Sequence, residues 1–291
     1  MPSLTPSSLP SVKDIVFADS SFFANGHERL PTPAEVRQEA GPTTKMTNGP
    51  VPVIFPSMKL IVKYGAKIKM SEGQCLWAIR SLCPNVPVPE VYGWCEDDGE
   101  TFIYMEHIEA STLEQGWPGL DVEERYEICT QLCKILSELR QLQQEPSNPF
   151  IGTINQQPVT DIIFEGNKLE ACFPDVPSFH NWFSGVDMPQ KDTSDPDHWR
   201  ASLLDDSPIV FTHGDLHRSN ILMSWDEKGA PKIAAIVDWH QSGWYPAPWE
   251  FYKTRFTSRA GEQWELEYIL EFLQAYHAYI PWDYFVLKRG T

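Results

Sequence analysis

Two carboxylates and one amide lie near the ends of two short apolar runs in the last third of the chain. Asn220 directly precedes the run 221–224, and Asp238 directly follows the run 232–237. The intervening Asp-Glu-Lys-Gly predicts a hairpin turn, so the start of the first strand lies beside the end of the second. Asp215 is one short loop away. We therefore expect the three polar side chains to converge on one point.

An oxygen-rich set of this kind suits the transfer of a phosphoryl group from a nucleotide. Magnesium is a hard cation that prefers oxygen ligands, so one carboxylate and the amide can hold it against the phosphates. The second carboxylate can orient a hydroxyl group and accept its proton, while the catalytic stabilisation is mainly electrostatic. The order His213-x-Asp215, with Asn220 five positions after the aspartate, matches the spacing of a kinase catalytic loop. The alternative is a polar loop that only caps a hairpin, but the strands on both sides favour the catalytic interpretation.

The first third of the chain predicts a small sheet with one helix. A chain of 291 residues with 42% hydrophobic residues can bury a sizeable core, as one large domain or as two lobes around a cleft. Aliphatic and β-branched residues predict a strand over 58–65, and the apolar spacing that follows predicts a helix over 71–82. The segments 91–95 and 101–105 predict a hairpin.

Helices dominate the remainder. Apolar residues at helical spacing predict a long amphipathic helix over 121–144, and a further helix is expected over 260–280. Near the start of the chain, the segment 32–40 has the cap, proline and glutamate of a short helix that begins at Thr32. The Ser/Pro-rich segment 1–31 predicts an extended, partly packed arm. Two unequal parts that meet at a cleft provide a natural nucleotide site.

Charge and cysteine usage limit the classes of partner and compartment. With 23 Lys and Arg against 40 Asp and Glu, the net charge is −17, which disfavours nucleic acid and anionic membrane surfaces as partners. We find no signal-peptide pattern and no apolar stretch of the ~20 residues that a membrane span needs. Six cysteines without a Cys-x-x-Cys pair indicate reduced thiols, so a cytoplasmic location is expected. Cys129 and Cys133 are expected to pack in the core together.

Several motifs carry a family resemblance that covers roughly 31–280. The chain resembles the aminoglycoside phosphotransferase and choline kinase group, particularly its fungal phosphotransferase enzyme family members, in HGDLHRSNIL, IVDW, SGWYPAPWEFYK, LIVKYG, VPVPEVYGW and FIYMEHIEASTLEQGW. The resemblance implies an α+β, bilobal protein-kinase-like fold with a small β-rich N-lobe and a larger, mostly helical C-lobe. It divides the chain into an arm (1–30), a nucleotide-binding N-lobe (31–105) and a catalytic and substrate-binding C-lobe (106–291).

The resemblance also implies roles for individual residues. Asp215 is the expected catalytic base, and Asn220 and Asp238 are the expected ligands of Mg²⁺. Lys63, near the end of its strand, is expected to contact the α- and β-phosphates of ATP. Glu72, near the start of the next helix, is expected to pair with Lys63 and position it. Taken without the motif, Lys63 is an ordinary surface lysine.

The connection between the lobes, at 105–108, also resembles that of the family, whereas the phosphate loop departs from it. The backbone groups of Glu106 and Ile108 are expected to hydrogen-bond the adenine. No Gly-x-Gly-x-x-Gly loop occurs, so a shorter phosphate-covering loop is expected within 41–56. Ala110 stands where many relatives have glycine, and His240 stands where many have an acidic residue. The histidine is the departure that can alter the metal site or the substrate pocket.

The acceptor is expected to be a small hydroxylated molecule, with a cationic group favoured by one feature. A carboxylate and several aromatic rings follow Asp238: Trp239, Trp244, Tyr245, Trp249 and Glu250. Such rings suit a cationic substrate, whereas the alternative is that they pack the large lobe. His213 is expected to brace the backbone of its loop rather than to act in catalysis. We expect a monomer or a weak dimer.

The sequence thus predicts an ATP- and Mg²⁺-dependent phosphotransferase that moves the γ-phosphate to a hydroxyl group of a small molecule. Three alternatives stay open. One is a kinase-fold nucleotide-binding protein without catalysis. Another is a biosynthetic enzyme that uses the kinase cleft for different chemistry. The third is a metallohydrolase with zinc on His213, Asp215, His217, Asp238 and His240.

Overall fold

The computed structural model describes residues 2–41, 52–164, 171–185, 198–276 and 281–288. The phosphate-covering loop that the sequence analysis expects falls mainly on 42–51, outside the described residues. Within the described ranges, no helix is long and apolar enough to cross a membrane. The structure is α+β, with a small sheet-rich N-terminal part and a larger, mostly helical C-terminal part, which confirms the predicted fold class.

The strands are β1 (Ser3–Leu4), β2 (Ile15–Val16), β3 (Val53–Phe55), β4 (Leu60–Gly65), β5 (Val91–Asp97), β6 (Glu100–Glu106), β7 (Ser111–Thr112), β8 (Gln143–Gln144), β9 (Ile209–Thr212), β10 (Ile221–Trp225), β11 (Pro231–Ile236) and β12 (Gly243–Pro246). The α-helices are α1 (Ser21–Ala24), α2 (Pro33–Ala40), α3 (Met70–Leu82), α4 (Leu113–Gly116), α5 (Val122–Leu139), α6 (Val176–Ser184), α7 (Trp249–Phe256), α8 (Ile269–Phe272) and α9 (Trp282–Lys288). The strands form separate small sheets, and the largest of them lies in the N-terminal part.

A five-stranded antiparallel sheet organises the N-terminal part, in the order β2-β5-β6-β4-β3. Along β4, Leu60 and Val62 are buried in a core cluster on one face of the sheet. Successive side chains of a strand point to opposite faces, so Lys63 lies on the other face. The hairpin of β5 and β6 confirms the predicted strands over 91–95 and 101–105, and it extends each of them by one or two residues.

The predicted strand over 58–65 is confirmed in part, because β4 begins only at Leu60. Pro56–Met58 form a 3₁₀ turn, and Lys59 has a left-handed φ of 46°, which interrupts an extended strand. The helix predicted over 71–82 is α3, which begins one residue earlier. It packs against β5 and β6 and so faces the sheet with its buried side chains.

Two predicted helix starts are confirmed by their caps. The Thr32 hydroxyl accepts from the Glu35 N–H, and the Glu35 carboxylate accepts from the Thr32 N–H, so α2 begins with a complete capping box. Asp121 and Glu124 form the same arrangement at α5. The predicted end of that helix at residue 144 is wrong. The helix ends at Leu139, and β8 follows because those residues pair with another strand.

That other strand belongs to the N-terminal arm, which contacts both parts of the molecule. β1 pairs in parallel with β8 of the C-terminal part, and β2 pairs with β5 of the N-terminal sheet. Between them, Gln74 Nε2 donates to the Pro10 carbonyl at 2.7 Å, and Trp94 Nε1 donates to the Val12 carbonyl at 2.9 Å. The predicted arm is extended at β1 and β2, but a 3₁₀ turn at Pro6–Ser8 lies between them, and α1 is a further helical turn that the sequence analysis did not predict.

Two further expectations are wrong. The single helix expected over 260–280 is a π-helical turn at Trp264–Tyr268 followed by the short α8, and the chain becomes extended at Leu273. Cys129 is buried, but Cys133 is exposed, so the two thiols do not share the core. Four residues on a helix advance the chain by more than one turn, and here that rotation is enough to expose the second thiol.

Candidate active site

The hairpin of β10 and β11 brings the predicted polar residues together. The strands pair in antiparallel register, with Ile221 opposite Ile236. Directly beyond this pair, the Val237 N–H donates to the Asn220 carbonyl at 2.9 Å. Asp238 then adopts the left-handed region, with φ 66° and ψ 62°, which is uncommon for a residue other than glycine and turns the chain sharply. The predicted convergence of Asn220 and Asp238 at one end of the hairpin is confirmed.

Asp215 joins this group through Asn220. Asn220 Nδ2 donates to the Asp215 carbonyl at 2.9 Å and to Asp215 Oδ2 at 3.2 Å. One potential ligand atom from each of Asp215, Asp238 and His240 lies within 4.8 Å of the others. The Asp238 carboxylate and the Asn220 amide oxygen are the donors that a hard divalent cation prefers, so they fit the Mg²⁺ that the resemblance implies. His240 is an additional imidazole donor that the predicted ligand set did not include.

Lys63 meets two carboxylates at the edge of the same group. Its Nζ lies 2.6 Å from Glu72 Oε1 and 2.5 Å from Asp238 Oδ1. Burial by itself lowers the pKa of Lys63, but the two carboxylates outweigh it and raise that pKa above its ordinary value. Burial likewise opposes ionisation of Asp238, but the hydrogen bond from His240 and the charge of Lys63 hold its pKa well below the ordinary value. Both groups are therefore charged at neutral pH.

A cavity of about 320 Å³ lies between the N-terminal sheet and the hairpin. Its walls include the predicted residues Lys63, Glu72, Glu106, Ile108, Asn220 and Asp238. At the connection between the two parts, the Glu106 N–H donates to the Glu90 carbonyl and the His107 N–H donates to the Lys59 carbonyl. Ile108 lines the cavity, and within the described residues its N–H donates no backbone hydrogen bond.

Asp215 lines a second cavity of about 380 Å³. Other residues on its walls are Glu114, Arg218, Ser219, Thr257, Arg259 and Trp264. Asp215 is almost completely buried, which by itself raises its pKa, but the nearby His217 ring outweighs burial and lowers the pKa below its ordinary value. The two groups are 3.6 Å apart, between His217 Nε2 and Asp215 Oδ2. Asp215 is thus ionised and can accept a proton in this cavity.

His213 braces the loop from beneath, as the sequence analysis expects. Its Nε2 donates to the Val237 carbonyl at 3.0 Å, and its Nδ1 accepts from the Asp215 N–H at 3.1 Å. Complete burial lowers its pKa to about 4, so the ring is neutral. Since both ring nitrogens contact the backbone, His213 does not join the metal-ligating group. The five-residue zinc set of the metallohydrolase alternative is not assembled.

The aromatic residues after Asp238 do not form a substrate pocket. Four rings are buried in the core: Trp239, Trp244, Tyr245 and Trp249. The alternative that these rings pack the large lobe is therefore correct. Glu250 is buried too, and its carboxylate accepts from the His213 N–H at 2.7 Å and the Gly214 N–H at 3.1 Å. Burial raises the pKa of Glu250 to about 7 despite these two donors. Glu250 supports the loop of Asp215 and is not a binder of cationic substrates.

A buried ion pair behind the loop was missed by sequence reasoning. Lys253 Nζ lies 2.6 Å from Asp161 Oδ1 and 3.0 Å from Gln241 Oε1, and both charged side chains are fully buried. Gln241 also packs against the same loop, because a Cβ added to Gly214 would lie 2.7 Å from the Gln241 carbonyl oxygen. Asp161 and Lys253 are far apart in sequence and share no motif, so no local signal identifies the pair.

A model of the phosphotransferase enzyme family matches residues 71–288. No curated protein matches the sequence. The streptomycin–ATP complex of APH(2")-IIa is 12% identical with a TM-score of 0.47, over 88% of this chain and 87% of that chain. A thermostable APH(4)-Ia mutant with ADP and hygromycin B is 15% identical with a TM-score of 0.42; the match covers 68% of this chain and 64% of that chain, less than two thirds of its length.

Proposed function

Since this chain belongs to the phosphotransferase enzyme family, we propose that it transfers the γ-phosphate of ATP to a hydroxyl group of a small molecule. One observation carries the proposal. Asp215 lines the second cavity and contacts Asn220, which lines the first cavity with Asp238 and Lys63, and these residues form the proposed junction of the two cavities. The first cavity is the proposed nucleotide site, and the second is the proposed acceptor site.

The first cavity offers contacts for each part of a nucleotide. Ile61 and Leu222 line it with apolar surface that suits the faces of an adenine ring. The free Ile108 N–H and the carbonyl of Glu106 are the proposed partners of the adenine edge. The Lys63 ammonium group is the proposed contact of the α- and β-phosphates, held in place by Glu72.

The oxygen donors at the junction are the proposed cation site. Asn220 and Asp238 would hold Mg²⁺, as their oxygen chemistry suits it. When bound, Mg²⁺ offsets the negative charge of the phosphate oxygens. Lys63 now contacts Asp238, and in the proposed complex its ammonium group is free to contact phosphate oxygens instead.

Asp215 is the proposed base of the transfer step. The acceptor oxygen forms a bond to the γ-phosphorus while the bond from that phosphorus to the bridging oxygen of ADP breaks. The hydroxyl proton passes to the Asp215 carboxylate, which is ionised at neutral pH and so can take it. The buried brace of His213 and the two N–H groups held by Glu250 fix the loop, so the carboxylate is positioned before the acceptor arrives.

The second cavity suits a broader class of acceptor than the cationic substrate that the aromatic residues after Asp238 suggested. Its walls combine the charged groups of Glu114, Arg218 and Arg259 with hydroxyl groups and the ring of Trp264. Charges of both signs and several hydroxyls suit a small, polar, hydroxylated molecule. Because the aromatic residues after Asp238 lie in the core, they lend no support to a cationic acceptor.

Calorimetry with ATP and ADP, in the presence and absence of a divalent cation, tests the nucleotide site. We expect cation-dependent binding that Asp238→Ala removes. Transfer of labelled phosphate from ATP to a panel of sugars, amino alcohols and aminoglycosides then tests the reaction, and Asp215→Asn should abolish transfer but keep ATP binding. Failure of the wild type to bind either nucleotide would overturn the proposal. Tight nucleotide binding without transfer to any acceptor would favour a nucleotide-binding protein instead.

A further inference from the structure

His240 places an imidazole among the oxygen donors at the end of the hairpin. Its Nδ1 lies 2.8 Å from Asp238 Oδ1, and one of its ring nitrogens lies within 4.8 Å of a carboxylate oxygen of both Asp215 and Asp238. Atoms that bind one first-row divalent ion at ~2.0–2.3 Å lie within roughly 4.6 Å of each other. Small side-chain movements are therefore enough for His240 and Asp238 to share one ion next to Asp215.

The backbone around His240 is fixed, so the imidazole stays near this position. The Thr160 hydroxyl donates to the His240 carbonyl at 2.6 Å. On one side Trp239 is buried, with its Nε1 donating to the Ile236 carbonyl, and on the other side Gln241 is held by Lys253. The His240 side chain is 38% exposed, and its Nδ1 contacts Asp238, which lines the first cavity.

A ligand of this type changes which cation the site prefers. Mg²⁺ favours oxygen donors and keeps its waters, whereas an imidazole nitrogen suits first-row transition ions better. The Asp238 carboxylate, the Asn220 amide oxygen and one imidazole form a mixed nitrogen and oxygen set, and such sets hold transition ions in many proteins. The oxygen donors of Asn220 and Asp238 keep the site compatible with a cation that also contacts phosphate oxygens.

We propose that His240 is a direct ligand of the active-site cation and that it shifts the preference of the site from Mg²⁺ toward transition ions such as Mn²⁺. The inference rests on the proposed function, because it concerns the cation of the same site. It adds the chemical class of the cation and a residue that selects it. The groups that face the proposed ion are Asp215, Asn220, Asp238 and Lys63, and Lys63 must leave Asp238 when the ion binds.

Pulsed electron paramagnetic resonance of Mn²⁺ with ADP tests the ligand directly. The protein is produced with ¹⁵N-labelled histidine, so an imidazole coupling is distinguished from nitrogen of the adenine ring. We expect ¹⁵N coupling to Mn²⁺ in the wild type and its loss in His240→Asp, which retains a donor for the ion. His217→Asn serves as a matched control, because His217 is the other histidine near Asp215, and it should retain the coupling.

A second test measures the affinities for Mn²⁺ and for Mg²⁺ separately by calorimetry, each in the presence of ADP. The ratio of the Mn²⁺ to the Mg²⁺ affinity should fall by about 10-fold or more in His240→Asp, as is typical when a metal-supporting group is lost. His240→Asn provides a neutral variant in case the aspartate disturbs the fold. Wild-type protein that binds Mn²⁺ and ADP without any histidine coupling overturns the inference but leaves the proposed function standing. Absence of nucleotide binding with either cation overturns both.

Discussion

Lys63 and Lys253 each hold a carboxylate at the same distance, in two different regions. Lys63 Nζ is 2.6 Å from Glu72 in the wall of the first cavity, and Lys253 Nζ is 2.6 Å from Asp161 behind the loop of Asp215. The cleft lysine retains 16% exposure of its side chain, whereas Lys253 has none. The two regions share one type of contact, so any difference between them comes from their surroundings.

The surroundings differ in whether every oxygen of the carboxylate accepts a hydrogen bond. Asp161 also accepts from Trp249 Nε1 at 3.1 Å and from the Ile163 N–H at 3.1 Å, so the buried pair has its hydrogen bonds satisfied. Glu72 Oε2, in contrast, is buried without a hydrogen-bond partner in the described part of the chain. A satisfied pair resists change, whereas the cleft pair still has capacity for a new partner. The comparison separates a contact that is closed within the core from one that lies in the proposed nucleotide site.

Loss of the buried charge should have the largest effect. Lys253→Met leaves the Asp161 carboxylate uncompensated in the core, and we expect it to lower the free energy of unfolding by ~3–5 kcal/mol. Denaturant titration measures this change. The double variant Lys253→Met with Asp161→Asn removes the unpaired charge and should recover more than ~1 kcal/mol. A single variant as stable as the wild type would contradict the structural role.

The difference between Lys63 and Lys253 can be tested by replacing each of them with arginine. Lys63→Arg keeps the positive charge near Glu72, but its rigid planar head cannot reproduce a compact ammonium contact to phosphates. We expect a ~10²–10³-fold loss of phosphate transfer with a stability change under ~1 kcal/mol. Lys253→Arg is the matched control, since overpacking of a closed core site costs ~1–3 kcal/mol of stability. Unchanged transfer in Lys63→Arg would remove Lys63 from the proposed phosphate site.

The buried His180 gives a pH-dependent test of how burial affects an ionisable group. His180 Nδ1 lies 2.8 Å from Asp205, yet burial lowers the pKa of His180 to about 4, so this contact is a hydrogen bond of a neutral ring at pH 7. Below its ordinary pKa of about 6.5 the unfolded chain takes up a proton that the folded chain refuses, so stability falls as pH falls toward 4. Relative to His180→Asn, the wild type should lose about 2 kcal/mol between pH 7 and pH 5. Denaturant titrations at both values check the difference, and a difference that does not change with pH would exclude the effect.

An exposed pair should show the smallest effect. Arg29 and Glu35 are joined at 2.7 Å on the surface beside the start of α2, with exposed side chains. Solvent screens such pairs, so Arg29→Gln should leave the thermal midpoint within the scatter of the wild type. Thermal unfolding of both proteins at the same salt concentration provides the measurement. A shift comparable to that of Lys253→Met would mean that burial does not determine how much these pairs contribute.

Most residues that line the first cavity near Asp238 were predictable from the sequence. Asn220 and Asp238 came together because a hairpin returns the chain to its starting end, and that follows from local patterns alone. The cap of Thr32 was predictable because its partners are three residues away. Lys63 and Glu72 needed the family resemblance, since a lone lysine after a strand carries no specific signal.

The remainder depends on contacts between distant segments. The pairing of Asp161 with Lys253 has no sequence motif, and neither has the pairing of β8 with the arm. The role of Glu250 as a support of the Asp215 loop was missed, because an acidic residue near aromatic rings gives the same pattern whether it faces a ligand or the backbone. The nearness of His240 to Asp215 depends on a left-handed Asp238, which sequence patterns do not reveal.

The arm also has a consequence for the order of events during synthesis. β1 emerges from the ribosome before its partner β8, which follows roughly 140 residues later, or about 7–30 s at ~5–20 residues per second. During that interval the N-terminal sheet can already form around β2 and β5. β1 cannot pair until α5 and then β8 have been synthesised. The pairing of β1 with β8 is therefore a late step, and it joins the two parts of the molecule only after each has begun to fold.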